Sequence, residues 1–230
     1  MFPAAPARSS SPNPTRKTAG PATQGPDPRR DADRMFCSLH GIRFLLICTA
    51  NICRSPTAAG LLALRARSAR APIEILSFGL LPGGREAPPQ VVEAVATFGV
   101  DLSRHRSAQL SIEELSKADV AVTMTRQHLR ELVIELPDIW PRVFTLPELV
   151  RRGEIVGPRL TTQSIPQWIE CVHQGRRKED MIGAFPADDV IDPYGGPDAG
   201  YRRMAATLSN LVDRLSVLVW PDPPAVGLAR

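Results

Sequence analysis

Cysteine is sparse in this chain, at four positions in 230. That is too few to staple a fold together, so stability has to come from a buried core. Hydrophobic residues, at 43%, suffice to fill one. Long apolar runs are missing as well, since none approaches the ~20 residues that span a bilayer. No membrane association is therefore expected, and a cytoplasmic location is. Aromatic residues make up only 5%, and none is interleaved with Arg8, Arg16, Lys17, Arg29 and Arg30. The net charge of +4 thus does not describe a nucleic-acid surface. Its milder consequence is attraction of anionic substrates.

The first 34 residues are rich in Pro, Ser, Arg and Ala and lack the apolar segment of a secretory signal. A disordered N-terminal extension over 1–38 is expected, then one domain over 39–220 and a flexible tail over 221–230. Met35 stands where foldable sequence begins, which makes it a candidate alternative start.

The most informative segment is Cys48-Thr49-Ala50-Asn51-Ile52-Cys53-Arg54-Ser55, placed between an apolar run (Ile42 to Ile47) and a stretch of good helix formers. A loop that leaves a strand and enters a helix turns several backbone N–H groups toward one point, as an oxyanion requires. Cys48 would lie at the floor of this cradle. Arg54 would close it with a planar fork of donors that matches a phosphate. Amide dipoles, a helix N-terminus and a guanidinium are also the groups that turn a thiol into a nucleophile and stabilise a transferring phosphoryl group. Ser55 is placed to hydrogen-bond the sulfur, and Asn51 tolerates left-handed backbone. A buried structural cysteine with an arginine nearby by accident is the bland alternative, and Ser-Pro followed by helix formers argues against it.

Transfer through a thiolate needs an acid for the departing oxygen. Asp192-Pro193-Tyr194-Gly195-Gly196 offers a carboxyl on a rigid turn beside an aromatic. Taken alone it is only a turn; beside the cysteine loop it becomes the candidate acid.

These segments resemble the low-molecular-weight protein tyrosine phosphatases. The likeness runs through Ile47 to Pro56, Ser77-Phe78-Gly79, Gly99 to Leu102, His105-Arg106-Ser107, Ala118 to Met124 and Asp192-Pro193-Tyr194, in the same order from about Arg43 to Trp220. It implies a phosphocysteine mechanism with Cys48 as nucleophile, Arg54 as phosphate ligand and Asp192 as general acid and then base, with no metal or cofactor. Thr49, Ala50, Asn51, Ile52, Cys53 and Ser55 would form the phosphate loop, with Ser77 and His105 supporting it. Tyr194 would line the mouth and stack on the substrate ring. The implied partner is a phosphotyrosine protein, such as a bacterial tyrosine kinase in signalling, and the implied assembly a monomer or weak dimer. Ala50 stands where the family usually has Gly, which predicts a slightly stiffer loop. Ala59 replaces a common Glu.

Other readings stay open. Protein arginine phosphatases resemble this family but tend to carry Thr where Ile52 stands, and a bulky apolar side chain favours an aromatic phosphoester. Arsenate reductases of similar fold need further cysteines as a disulfide relay, and only Cys171 lies downstream. A phosphoprotein-binding module without turnover would have lost Cys48 or Asp192, and both are present. Cys53 is either a reversible disulfide partner for Cys48 or a packing residue. Cys48, Cys53 and His105 do not have zinc-finger spacing.

Strand and helix patterns alternate, which predicts an α/β fold of three layers. A four-stranded parallel sheet would carry helices on both faces and the phosphate loop after its first strand. Strands are expected over Ile42–Ile47, Ile73–Ser77, Val120–Thr123 and Arg142–Phe144. Helices are expected over Pro56–Arg67, Pro89–Phe98, Arg126–Leu136, Leu146–Arg151 and Ala199–Val219. The residues 153–188 look like an insertion, with a candidate helix over Thr162–Gln174 and a basic cluster at Arg176, Arg177 and Lys178. A solvated surface is the favoured reading there, and a flap or partner surface the other.

Overall fold

The computed structural model describes residues 41–183 and 185–221. The extension expected over 1–38 and the tail from 222 onward lie outside them. The first strand, β1 (Ile42–Cys48), alternates strictly. Phe44, Leu46 and Cys48 join one apolar cluster while Leu45 and Ile47 join another on the opposite face. A strand buried on both sides suits the middle of a parallel sheet. β2 (Ile73–Gly79), β3 (Val120–Thr123) and β4 (Val143–Thr145) complete that sheet in the order β2-β1-β3-β4, every pair parallel. The chain leaves β1 for β2 on one side and later returns to β3 on the other. The crevice of an open α/β sheet therefore falls at the carboxyl end of β1.

Helix α1 (Arg54–Ser68) begins two residues ahead of its expected start at Pro56. Proline is tolerated in a first turn, where its missing N–H has no intrahelical partner anyway. Four other helices start on hydroxyl caps: α3 (Ile112–Ser116) on Ser111, α4 (Arg126–Glu135) on Thr125, α5 (Leu146–Val156) on Thr145, and α6 (Ile165–His173) on Ser164. In α6 the cap is reciprocal, with Gln167 reaching back to the Ser164 backbone. The short α3 was not among the expected elements. α2 (Pro89–Ala96) and the long α7 (Asp198–Val219) pack on the same face as α1, and Met204, Leu208, Leu211, Leu215 and Leu218 of α7 are buried as its stripe predicts.

The solvated reading of 153–188 fails for part of the segment, while 177–180 and 185–187 are exposed. α5 runs on to Val156 through Gly153, where only a glycine fits because a Cβ would come within 2.9 Å of the Trp168 ring. Trp168, Ile169 and Val172 of α6 are buried in the main cluster, and Trp168 Nε1 donates to the Gly157 carbonyl at 3.0 Å. Within the basic cluster, Arg176 is itself a core group. Its guanidinium lies 4.0 Å from the ring centroids of both Trp140 and Phe144 and pairs with Glu148 at 2.8 Å. Among the described residues no helix is long and apolar enough to cross a membrane.

Candidate active site

The loop from Cys48 to Ser55 hangs from the end of β1 and turns into α1. Asn51 makes the turn with φ 53°, one of two non-glycine residues with positive φ among those described. Ala50 is not the other, which is Arg70, so an alanine in the usual glycine position costs no left-handed backbone. Opposite the loop, Gly79 is required for a different reason. A Cβ there would lie 2.8 Å from the Ala50 carbonyl carbon and 2.9 Å from the Asn51 nitrogen, so the backbone of the loop rests directly on the end of β2.

Side chains fix the loop from below. Asn51 Nδ2 donates to Ser55 Oγ and to Ser77 Oγ, both at 2.9 Å, and Asn51 Oδ1 accepts from the Ala108 N–H at 2.9 Å. His105 Nε2 meets the Asn51 carbonyl at 2.6 Å. The sulfur of Cys48, buried at 3% exposure, is 3.0 Å from Ser55 Oγ and receives the Asn51 N–H at 3.3 Å. Cys48, Asn51, Ser55, Ser77 and His105 are thus brought together in the structure. Ile52 and Cys53 turn into the main apolar cluster. Burial pushes the Cys53 thiol up to about 12, so it is protonated at neutral pH and packs as a small apolar group.

Arg54 is 4% exposed, and three of its five N–H donors are assigned. Nη1 reaches the Val190 carbonyl at 3.3 Å, while Nη2 reaches Thr49 Oγ1 at 3.1 Å and Asp192 Oδ2 at 2.5 Å. Nε is different: it is buried with no partner, and a buried unpaired donor on a guanidinium is costly unless an anion meets it. α1 begins here with no side-chain cap and no acidic residue in its first turn, leaving its positive end open. Asp192 also accepts the Tyr194 N–H at 3.2 Å through Oδ1, which locks the carboxyl onto the Pro193 turn. Tyr194 stands exposed at the rim.

The chain can be set beside known proteins at this point. The family model described as low molecular weight phosphotyrosine protein phosphatase matches residues 43–173. The chain belongs to that family. Among its relatives are the protein-arginine-phosphatase of Bacillus subtilis, 32% identical over 75% of this chain and 93% of that protein, and the probable low molecular weight protein-tyrosine-phosphatase EpsP of Ralstonia nicotianae, 32% identical over 57% and 88%. A solved low molecular weight protein tyrosine phosphatase from T. tengcongensis superposes with a TM-score of 0.56 at 31% identity, covering 76% of this chain and 97% of that one. Enzymes of the low-molecular-weight phosphatase family are cysteine-dependent phosphoric monoester hydrolases, and this chain is one of that class. The match to the family model ends before the Asp192 loop, which is tied to the cysteine loop by geometry.

Two residues of this low-molecular-weight phosphatase site, His128 and Arg85, went unread in the sequence, and the contacts of a third were not foreseen. Thr49 was expected only as a loop residue, yet its hydroxyl bridges Arg54 and His128, whose Nε2 lies 2.9 Å away. His128 is buried, and that burial, with the Arg54 charge second, lowers its pKa to about 4. Arg85 lies over the Tyr194 ring at 5.6 Å and donates to its hydroxyl at 3.1 Å. No sequence signal marks Arg85, because it reaches Tyr194 across 109 positions. His128 stands three residues past Thr125 on the first turn of α4, but no spacing tied it to Thr49. Among the described residues no three His, Cys, Asp or Glu side chains converge as a metal ion would need.

Proposed function

We propose that this enzyme hydrolyses phosphotyrosine in proteins through a phosphocysteine intermediate. Cys48 Sγ attacks phosphorus as the P–O bond to the phenol breaks, and Asp192 gives its proton to the departing oxygen. Water then attacks the phosphocysteine, Asp192 takes a proton from it, and the S–P bond breaks to return Cys48 and inorganic phosphate. Ser55, 3.0 Å from the sulfur, supports the sulfur as it leaves. The observation that carries the reading is the buried, unpartnered Nε of Arg54, set at the open start of α1 and in the same loop as Cys48.

Two features favour an aryl ester over a phosphoguanidine. Ile52 offers hydrocarbon where a threonine would offer a hydroxyl. At the mouth, the Arg85 cation held against Tyr194 disfavours a second guanidinium and suits an anionic phosphopeptide. Phosphoarginine is the second reading, supported by the likeness to the Bacillus subtilis protein-arginine-phosphatase across 93% of its length. A non-catalytic phosphoprotein-binding role is disfavoured by the convergence of Cys48, Arg54 and Asp192. The proposed substrate is a phosphotyrosine protein of the bacterial cytoplasm, such as a signalling tyrosine kinase.

Cys48→Ser should abolish nearly all hydrolysis of an aryl phosphate while inorganic phosphate still binds. Phosphotyrosine, phosphoarginine and phosphoserine peptides compared side by side then decide the ester. Wild-type protein with no thiol-dependent turnover, or with phosphoarginine preferred, would overturn the reading.

A further inference from the structure

The Thr49 side chain is held from two directions. Arg54 Nη2 donates to its Oγ1 at 3.1 Å, and His128 Nε2 sits 2.9 Å from the same oxygen. The other edge of the imidazole, Nδ1, lies 3.0 Å from Thr125 Oγ1. That oxygen already accepts the His128 backbone N–H as the N-cap of α4. A neutral imidazole has one N–H and one bare nitrogen, and a threonine hydroxyl has one hydrogen to give. One lone pair of Thr125 is committed to the cap, and in one of the two tautomers its hydrogen goes to Nδ1 and the ring proton stands on Nε2. His128 Nε2 and Arg54 Nη2 then both donate to Thr49 Oγ1. In that tautomer both lone pairs of the oxygen are filled, and its own hydrogen is free to point elsewhere.

Its contact with Arg54 keeps that oxygen beside the cradle. The Thr49 carbonyl is pinned by the Leu80 and Leu81 N–H groups at 2.8 and 3.0 Å, so the residue cannot swing out of the loop. We propose that His128 is a positioning residue: with Arg54, it turns the Thr49 hydroxyl into a donor aimed at a phosphoryl oxygen bound between Cys48 and Ser55. The inference rests on the reading of the loop as a phosphate site and adds a side-chain donor to its backbone amides. Burial keeps the ring neutral near pH 7. An imidazolium would make Nδ1 a donor as well, and would set another positive charge beside Arg54.

A double-substitution cycle tests this, read by aryl phosphate kinetics and by calorimetric binding of inorganic phosphate. Thr49→Val should weaken phosphate binding and lower kcat/KM by roughly ten- to a hundredfold, as loss of a hydrogen bond to a charged ligand does. Thr49→Ser should restore most of it. His128→Leu should weaken both in the same direction, and His128→Gln, which keeps a donor near the Nε2 position, should recover part. In the Thr49→Val background, His128→Leu should change neither quantity by more than about twofold, because its effect passes through the hydroxyl. Imidazole nitrogen resonances of the wild type should report the Nε2–H tautomer. The proposal is overturned if Thr49→Val stays within about threefold of wild type, if the two substitutions act independently, or if the ring proton is on Nδ1. Wild type that binds phosphate without turnover would sink the catalytic reading alone, since the binding cycle still reads Thr49. Wild type that binds no phosphate would sink both.

Discussion

Arg54 Nη2 and Asp192 Oδ2 stand 2.5 Å apart, although 138 positions separate the two residues in the chain. The candidate acid is thus anchored to the candidate phosphate ligand itself, in a pair that is buried on the arginine side and 43% exposed on the aspartate side. An incoming phosphoryl group competes with that carboxylate for the same guanidinium. Asp192→Asn should therefore lower turnover by about 10² to 10⁴ while inorganic phosphate binds no worse than to wild type. Steady-state kinetics and calorimetry on one preparation check both halves, and a loss under threefold in turnover removes the acid assignment.

The proposed preference for an aryl ester is tested at Ile52, which sits in the loop with its side chain in the main apolar cluster. Ile52→Thr should raise phosphoarginine turnover relative to aryl phosphate turnover by at least about tenfold, within the range that one altered side-chain contact achieves. The ratio of kcat/KM values for the two substrates is the measurement. An unchanged ratio would place selectivity elsewhere, with Arg85 the next residue to replace.

Asp188 is 1% exposed as a side chain and pairs with Arg126 and Arg151, each at 3.0 Å. One residue on, Asp189 accepts the Arg126 backbone N–H at 2.7 Å, so this charge cluster leads directly into the Asp192 loop. Asp188→Ala leaves guanidinium charge uncompensated beside buried surface and should cost roughly 3 kcal/mol of stability. Denaturant unfolding measures it, and hydrogen exchange over 189–192 should quicken in the same variant.

His128 makes stability depend on pH in a calculable direction. Its folded pKa is about 4 against an ordinary 6.5, so between those values the unfolded chain binds the proton and the folded chain does not. The stabilisation is complete above about pH 6.5 and is lost as pH falls toward 4, by roughly 3 kcal/mol over the window. Denaturation midpoints at pH 7 and 4.5, compared between wild type and His128→Gln, isolate this contribution. The wild type should lose more on acidification, and equal losses would mean that the ring is solvated.

The parts of the fold written in short patterns were legible from residues alone. The apolar run Ile42–Ile47 and the stretches expected as helices over Pro56–Arg67, Arg126–Leu136 and Ala199–Val219 each specify local structure within a few positions. The cysteine loop was legible because its chemistry is contiguous, and Asp192 because a Pro-Tyr-Gly-Gly turn follows it. What escaped was long-range. Gly153 looks like the end of a helix until Trp168 arrives to fill the space beside it. Arg176 looks like solvated charge until Trp140, Phe144 and Glu148 enclose it. Thr49, His128 and Arg85 act through partners that only the folded chain supplies.

The unprotected start of α1 has a practical consequence. With no capping side chain and no acidic residue of its own in the first turn, that helix should be completed by whichever tetrahedral anion the solvent provides, and the folded chain alone gains from it. Melting temperature should accordingly climb with phosphate, vanadate or sulfate at fixed ionic strength, and stabilities recorded in phosphate buffer will not match those recorded in an organic amine buffer.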